Sequence, residues 1–560
     1  MGIPSYFKKI IDDFPEIIKT KSFLKINFDN LFLDFNGCIH NCSNKLKSSE
    51  RNFKNNIEFE TELIKEVIKY TNEIFDFIKP TSLFYISIDG IPPRSKMIQQ
   101  RYRRFMGQWK KTKIIEKLEK NKVSEEIIEN YKKDWDSSAI SPGTDFMNRL
   151  SLALKIHFKK TQKFKSIKVI LSDSLEEGEG EFKIFKYIKE NIKDNEHNII
   201  HGLDADLIML SLLQDKKIHL LREPVFFKLD NQEQFIFLAI NYFKDILAQN
   251  YSHYFNNSTD LIYYYVFLCF LIGNDFIVNL TFLKFKNNSL EILLEIYKRI
   301  SNYLNQNILI KNNEEFKINY LFLSKFINEL STMEDSEMKK ATIEYEKIRP
   351  FFKKFDKNDK NEIIKKYDHE LELYPILNRK KDNIQGGIDK NWRANYYYHI
   401  FDTTYGDEIR DICHNYLESL EFTLDYYYNQ IYHKTWYYRY QYSPTILDLS
   451  NYIQSLNYTI INEEEQKYND DFRINIEYDK LYPDINITSE LQLLMILPPS
   501  SNHLINNKYK KLMINNDNGV QHYYPKDFKI STYLKRLLWL CKPMLPDIDL
   551  ELLYKKYKEI

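Results

Sequence analysis

Acidic residues close four apolar runs of the chain. "NLFLDFNG", "SLFYISIDG", "KVILSDS" and "HNIIHGLDADLIML" carry Asp34, Asp89, Asp173 and the pair Asp204 and Asp206. "LEEGEGEFKI" adds Glu179 and Glu181 at the mouth of an expected helix, where Gly178 and Gly180 permit a close backbone approach. "FLIGNDF" sets Asp275 directly after another apolar run. One strand-end acid is ordinarily a solvated loop residue. Seven at one edge (Asp34, Asp89, Glu179, Glu181, Asp204, Asp206 and Asp275) would repel one another unless cations neutralised them. Hard carboxylate oxygens suit Mg²⁺ or Mn²⁺, and two such ions about 4 Å apart serve in-line hydrolysis of phosphodiesters. Asp173 is read as structural, because the glutamates beside it are better placed for metal.

A second constellation follows Asp89 in "DGIPPRSKMIQQRYRRF". With a helix starting after the two prolines, Lys96, Gln100, Arg103 and Arg104 fall at i, i+4, i+7 and i+8 and share one face. That face is suited to a phosphate, or it is a solvated helix surface. From Arg94 to Lys113 there are eight basic residues and no acidic one. The formal net charge of the chain is only +1, so any nucleic-acid binding has to come from such local patches. "CIHNC" (Cys38, His40, Cys42) has no second ligand pair, and no zinc site is expected there.

These residues need a scaffold. The first 290 residues alternate strand-like apolar runs with amphipathic stretches, which predicts an α/β domain with a parallel sheet. Open parallel sheets bind ligands at the carboxyl edge, where the acids should converge. Residues 291–390 read as a charged helical connector. Residues 391–560 are rich in aromatics, which at this density mean packed core, with a minority available to stack bases. An apolar fraction of 43% and a charged fraction of 28% are those of a globular protein. Five cysteines suit a reducing compartment. The run "YYYVFLCFLIG" is too short to span a bilayer, and "MGIPSYFKK" lacks a signal-peptide core, so a soluble, cytoplasmic protein is expected, with the nucleus as the alternative.

The ordered motifs "MGIP", "LFLDFNGCIHNC", "SIDGIPPRSKMIQQRYRRF", "SPGTDFM", "SDSLEEGEGEFKI", "GLDADLIML" and "VFLCFLIGNDF" closely resemble the XRN-type 5′→3′ exoribonucleases. The likeness resumes at "YYYHIF", "YLESLEFTLDYYY", "WYYRYQYSP", "LLMILPPSSNHL" and "YYPKDF". It implies a PIN/flap-nuclease-like catalytic domain with a mixed twisted sheet and a second, aromatic-rich, mostly helical region packed against it. It implies processive, Mg²⁺-dependent release of 5′-mononucleotides from single-stranded RNA bearing a 5′-monophosphate, with Mn²⁺ also supporting activity. The seven acids match the family's metal site, and Lys96, Gln100, Arg103 and Arg104 match its 5′-phosphate pocket. His40 and Trp436 correspond to the pair that stacks the terminal base. A monomer serving RNA decay, with decapping factors among its partners and without the long carboxyl-terminal modules of larger relatives, is the form expected. The chain departs from the family at Ile98 and Tyr102 beside the phosphate face, at Tyr263 and Tyr264 in place of an acidic pair, and at Phe422 in place of an indole. It also lacks the Asn-Gly-Lys segment near the end. Two rival readings are a flap endonuclease acting on DNA and an RNA-binding scaffold that kept the fold without catalysis.

Overall fold

The acid-ending runs are the strands of one sheet. A computed structural model describes residues 6–560 apart from 22–23, 25, 50, 52, 225–233, 257–259, 286–287, 314, 356–359, 380–383, 457–460, 463–466, 469–471, 477–484 and 516–517; the "MGIP" motif lies outside the described residues. The strands are β1 (Ile18–Lys19), β2 (Asn30–Asp34), β3 (Leu83–Ser87), β4 (Lys168–Ser172), β5 (His197–His201), β6 (Lys217–Arg222) and β7 (Ile236–Ala239). They lie in the order β1-β7-β6-β5-β2-β3-β4. The five strands from β6 to β4 run parallel, and β7 and β1 close the other edge antiparallel. The centre of the sheet is buried on both faces. That is why β3 reads "LFYIS", apolar without alternation and buried at every position.

Six helices position the candidate site. They are α1 (Phe35–Lys47), α2 (Arg94–Lys120), α3 (Gly180–Asn191), α4 (Asp206–Leu212), α5 (Leu261–Phe270) and α6 (Gly406–Leu424). Helix α2 begins as the sequence predicts, immediately after Pro92 and Pro93. Pro93 has φ −61° and ψ 155°, extended backbone that ends the turn and releases the helix. Helix α5 is apolar nearly all round and is buried accordingly. Helix α6 runs into a π-helical turn, Asp425–Asn429, whose wider pitch carries three consecutive tyrosines, Tyr426, Tyr427 and Tyr428. Asp425 pins that turn by accepting hydrogen bonds from Asn429, from His433 at 2.7 Å and from Arg473.

One apolar cluster runs from Tyr6 through the sheet and α5 to Tyr297, Phe322, Tyr396 and Trp436. The charged stretch after residue 290 therefore buries its own apolar faces in the core shared by the first and last parts of the chain. The aromatic residues of the last part are mostly core: Trp392, Trp436, Tyr396, Tyr416, Tyr426 and Tyr427 are among the largest fully buried side chains. All five cysteines are free and buried. Among the described residues, no helix is long and apolar enough to cross a membrane.

Candidate active site

Parallel pairing places the ends of β2, β3 and β5 side by side, and the acids inherit that register. Asp34 is the last residue of β2, opposite Ser87 on β3, and Asp89 follows two residues later. Asp204 and Asp206 follow β5, with Asp206 as the first residue of α4. Glu179 and Glu181 flank the start of α3, and Asp275 follows α5.

Two glycines make this convergence possible. A Cβ on Gly90 would lie 1.6 Å from the Glu176 carbonyl oxygen, and one on Gly180 would lie 3.0 Å from Asp34 Oδ1. Bare backbone at both points lets the loop before α3 close on the strand ends. The Gly90 amide donates to the Gly178 carbonyl and the Gly178 amide to the Ile91 carbonyl, each at 2.9 Å. The Gly180 amide, at the start of α3, donates to Asp89 Oδ1 at 2.7 Å.

Burial and mutual repulsion dominate the electrostatics. Burial, then the charges of Asp89 and Asp204, push Asp34 well above the usual carboxylate range. Burial, with Asp206 and Glu179 nearby, does the same to Glu181. Asp206 is 1% exposed and is pushed up to about 7 by burial and by Asp275. Asp275 goes the other way: although burial would raise it, Lys96 holds it well below its ordinary value. Lys96 Nζ lies 2.6 Å from Glu179 Oε1 and 2.9 Å from Asp275 Oδ2. Glu181 Oε1 and Asp206 Oδ1 are buried and have no hydrogen-bond partner among the described residues.

Hard oxygen donors, buried and in part unpartnered, are the right chemistry for a divalent cation. The arrangement is not a closed coordination set: among the described residues, no three His, Cys, Asp or Glu side chains are disposed to hold an ion. Two of the seven carboxylates are instead ion-paired by Lys96.

The basic face sits against this cluster. Arg103 is 43% exposed, with one guanidinium nitrogen 3.6 Å from Asp275 and bonded to Gln99 at 2.8 Å. Arg104 donates to Ser141 Oγ of the "SPGTDFM" segment at 2.6 Å, and burial lowers it to about 10. Its other terminal nitrogen and Gln100 Oε1 are buried without a partner among the described residues. His40 is exposed on α1, where it feels Asp89, Arg104 and Arg103.

Trp436 sits differently from the expectation. It is 0% exposed, with Phe422 stacked on it at 4.7 Å and its indole N–H directed to Glu418 at 3.3 Å. An aromatic covered on its face and bonded at its edge offers nothing for a base to lie on, so the stacking role expected of Trp436 is corrected to a core role. The covering ring is Phe422, at one of the positions where the chain departs from the family. Asp173 is structural, as read from the sequence: it pairs with Lys155 at 2.5 Å and accepts from the Leu175 amide at 3.0 Å.

Three supporting residues escape the sequence reading. Asn36 donates to Asp89 Oδ2 at 2.7 Å and accepts from the Asp89 amide at 3.2 Å. Its signal was its place two residues after Asp34. Tyr426, carried by the π-turn, donates to Glu179 Oε2 at 2.8 Å; among 42 tyrosines nothing local marks it. Lys183 donates to the carbonyls of Ile88 at 2.6 Å and Asp173 at 3.1 Å, and burial lowers it to about 8. It ties the backbone just before Asp89 to α3.

Residues 1–224 match the family pattern described as "XRN 5'-3' exonuclease N-terminus", and residues 256–372 and 360–560 match "Xrn1 helical domain". The chain is 27% identical to 5'-3' exoribonuclease 2 of Arabidopsis thaliana, aligning over 98% of its own length and 66% of the relative's. It is 25% identical to 5'-3' exoribonuclease 1 of Saccharomyces cerevisiae and 27% identical to that of Homo sapiens, again over 98% of its own length. It spans 42% and 33% of those two relatives. With both patterns matched in order across most of its length, the chain belongs to the XRN 5'-3' exonuclease family.

Proposed function

We propose that the protein is a 5′→3′ exoribonuclease that removes mononucleotides from single-stranded RNA bearing a 5′-monophosphate, in RNA decay. The observation that carries this reading is the direct bridge between the two constellations: Lys96, on the basic face of α2, is bonded to Glu179 and Asp275 of the acid cluster. A phosphate held on that face would lie beside the carboxylates, at a distance set by the rigid turn "GIPP".

Divalent cations, Mg²⁺ or Mn²⁺, would be held by Asp34, Asp89, Glu179, Glu181, Asp204, Asp206 and Asp275. They would supply an activated water and neutralise charge on the attacking and leaving oxygens. The protein's own groups do the rest. Arg103 and Arg104 offer paired N–H donors that match a phosphate bidentately, with Gln100 and Lys96 completing the face. A dianionic monophosphate takes up this charge better than a 5′-hydroxyl. The end-binding face and the acids are separated by a fixed turn, so each cycle would release one nucleotide. His40, exposed beside Arg103 and Arg104, is placed for the terminal base, and stacking is tolerant of sequence. Burial of Glu179, Glu181 and Asp206 keeps water from screening the site, which strengthens the charge interactions within it.

The test compares matched RNAs with 5′-monophosphate, 5′-hydroxyl and 5′-triphosphate ends, with Asp206→Ala as control. Rapid loss of the monophosphate substrate alone, as mononucleotides, is the expected result. Equal degradation of all three would overturn the end-recognition face, and activity surviving in the control would overturn the acid site.

A further inference from the structure

Uncompensated positive charge gathers in a second place, beyond α2. A pocket between the loop after Asp275 and the segment 533–535 is lined by Lys284, Gln441, Tyr442, Ser443, Tyr533 and Lys535 among others. Lys284 Nζ donates to the Leu534 carbonyl at 3.1 Å, and among the described residues neither Lys284 nor Lys535 has a carboxylate within ion-pairing distance. The nearest acidic influence on Lys284 is the more distant charge of Glu344. Lys535 Nζ stands 5.1 Å from the centre of the Tyr442 ring. Ser443, 1% exposed, has a buried Oγ with no partner among the described residues. Next to the pocket, Lys542 feels both Lys535 and Asp275, so the basic cluster reaches towards the acid site. Gln441 also joins the pocket to α2 by donating to Tyr102 Oη at 3.4 Å.

Half-buried ammonium groups without counter-charges are costly, and these repel one another. Burial, then Lys535 and Arg536, lowers Lys284 to about 8; burial, then Lys535, lowers Lys542 to about 8; burial lowers Lys535 as well. A ligand that brought negative charge would relieve all three. We propose that this pocket is a second phosphate-binding subsite, with Lys284 and Lys535 as the charged donors and Ser443 as the neutral one. Charge count favours a phosphate monoester, as on a 5′-mononucleotide, over a singly charged phosphodiester of an RNA strand. The site itself stands on the lysines and the serine; only the identification of its ligand with the released product rests on the proposed nuclease activity.

The test uses the full chain in excess EDTA, so that no cleavage occurs and the result does not depend on activity. An amine-acylating reagent labels the lysines, and mass spectrometry follows each site in the presence of 5′-AMP, adenosine or a 5′-hydroxyl oligoribonucleotide. Protection of Lys284 and Lys535 by 5′-AMP but not by adenosine is expected. Calorimetry with 5′-AMP should show roughly tenfold weaker binding for Lys535→Met. The footprint separates the two phosphate sites: in Arg103→Gln, which weakens the face on α2, protection of Lys284 and Lys535 by 5′-AMP should persist. Protection by the oligonucleotide and not by 5′-AMP would keep the phosphate subsite and assign it to the strand. Protection by adenosine equal to that by 5′-AMP, or by none of the three, would overturn the proposal. Footprinting of the unmodified protein keeps the test valid even if Lys535→Met folds poorly.

Discussion

Helix α2 carries two sets of cations that look alike in sequence and differ completely in what they meet. Arg94 donates to the Ile548 carbonyl at 2.5 Å and lies 4.3 Å from the Tyr437 ring centre, while Arg101 donates to the carbonyls of Pro546 at 2.8 Å and Tyr523 at 2.6 Å. These two are buried and bonded to carbonyls near the end of the chain, although Arg94 Nε has no partner among the described residues. Lys96 and Arg103 reach acids of the cluster instead, while Gln100 and Arg104 each keep one polar atom without a partner among the described residues. A carbonyl partner spends an arginine on tertiary structure, whereas a carboxylate partner can be exchanged for a phosphate. Of the eight cations in the patch, two are therefore glue and three belong to the site, while Lys110, Lys111 and Lys113 bond elsewhere.

That contrast can be broken from either side. The largest effect is expected on the acid side: Asp206→Asn keeps shape but removes a charge, and should lower the rate of mononucleotide release by on the order of 10³-fold with unchanged circular dichroism. Lys96→Met should follow, with a loss of roughly 10²-fold on monophosphate RNA. Because it leaves Glu179 and Asp275 buried without their counter-charge, it should also destabilise the metal-free protein by about 3–5 kcal/mol in denaturant titrations. Added Mn²⁺ should restore part of that stability; no restoration would argue against metal at these acids. Arg101→Met should cost about 1–3 kcal/mol by orphaning two carbonyls, with the preference among 5′ ends unaltered. Arg103→Gln should be the mirror image: stability within about 0.5 kcal/mol, and discrimination between 5′-monophosphate and 5′-hydroxyl RNA reduced about tenfold. Should Arg101→Met alter end preference and Arg103→Gln leave it intact, the division of the helix is wrong.

A similar division separates the two candidate stacking residues. His40 lies on the exposed side of α1, one helix after an acid-bearing strand, so local sequence places it near the site. Trp436 comes from a segment 396 positions further on, and its environment depends on what α6 brings against it. Phe422 on α6 covers the ring. The same second region nevertheless shapes the site from behind. Tyr432 donates to the Ile91 carbonyl at 2.9 Å, and the Arg94 amide donates to the Lys434 carbonyl at 2.9 Å. The turn that spaces Asp89 from the phosphate face is thus clamped by residues more than 300 positions away.

The sequence by itself determined the strands β2 to β5, the carboxyl-edge position of the acids and the start of α2, but not β1, β6 and β7, which complete the sheet. Those follow from local rules: apolar runs buried on both faces become parallel strands, an acid at a strand end stays at that end, and paired prolines begin a helix. The spacing of Lys96, Gln100, Arg103 and Arg104 likewise needs only the helical repeat. Only tertiary structure decided which arginines of α2 are spent on carbonyls, that Lys96 bridges the acids, that Tyr426 and Asn36 orient them, and that Trp436 is core. The lysines of the second pocket, 284 and 535, come together by the same means. Each of these depends on partners far away in sequence. Whether a polar side chain is structural or functional is set by the group packed against it, which no local pattern encodes.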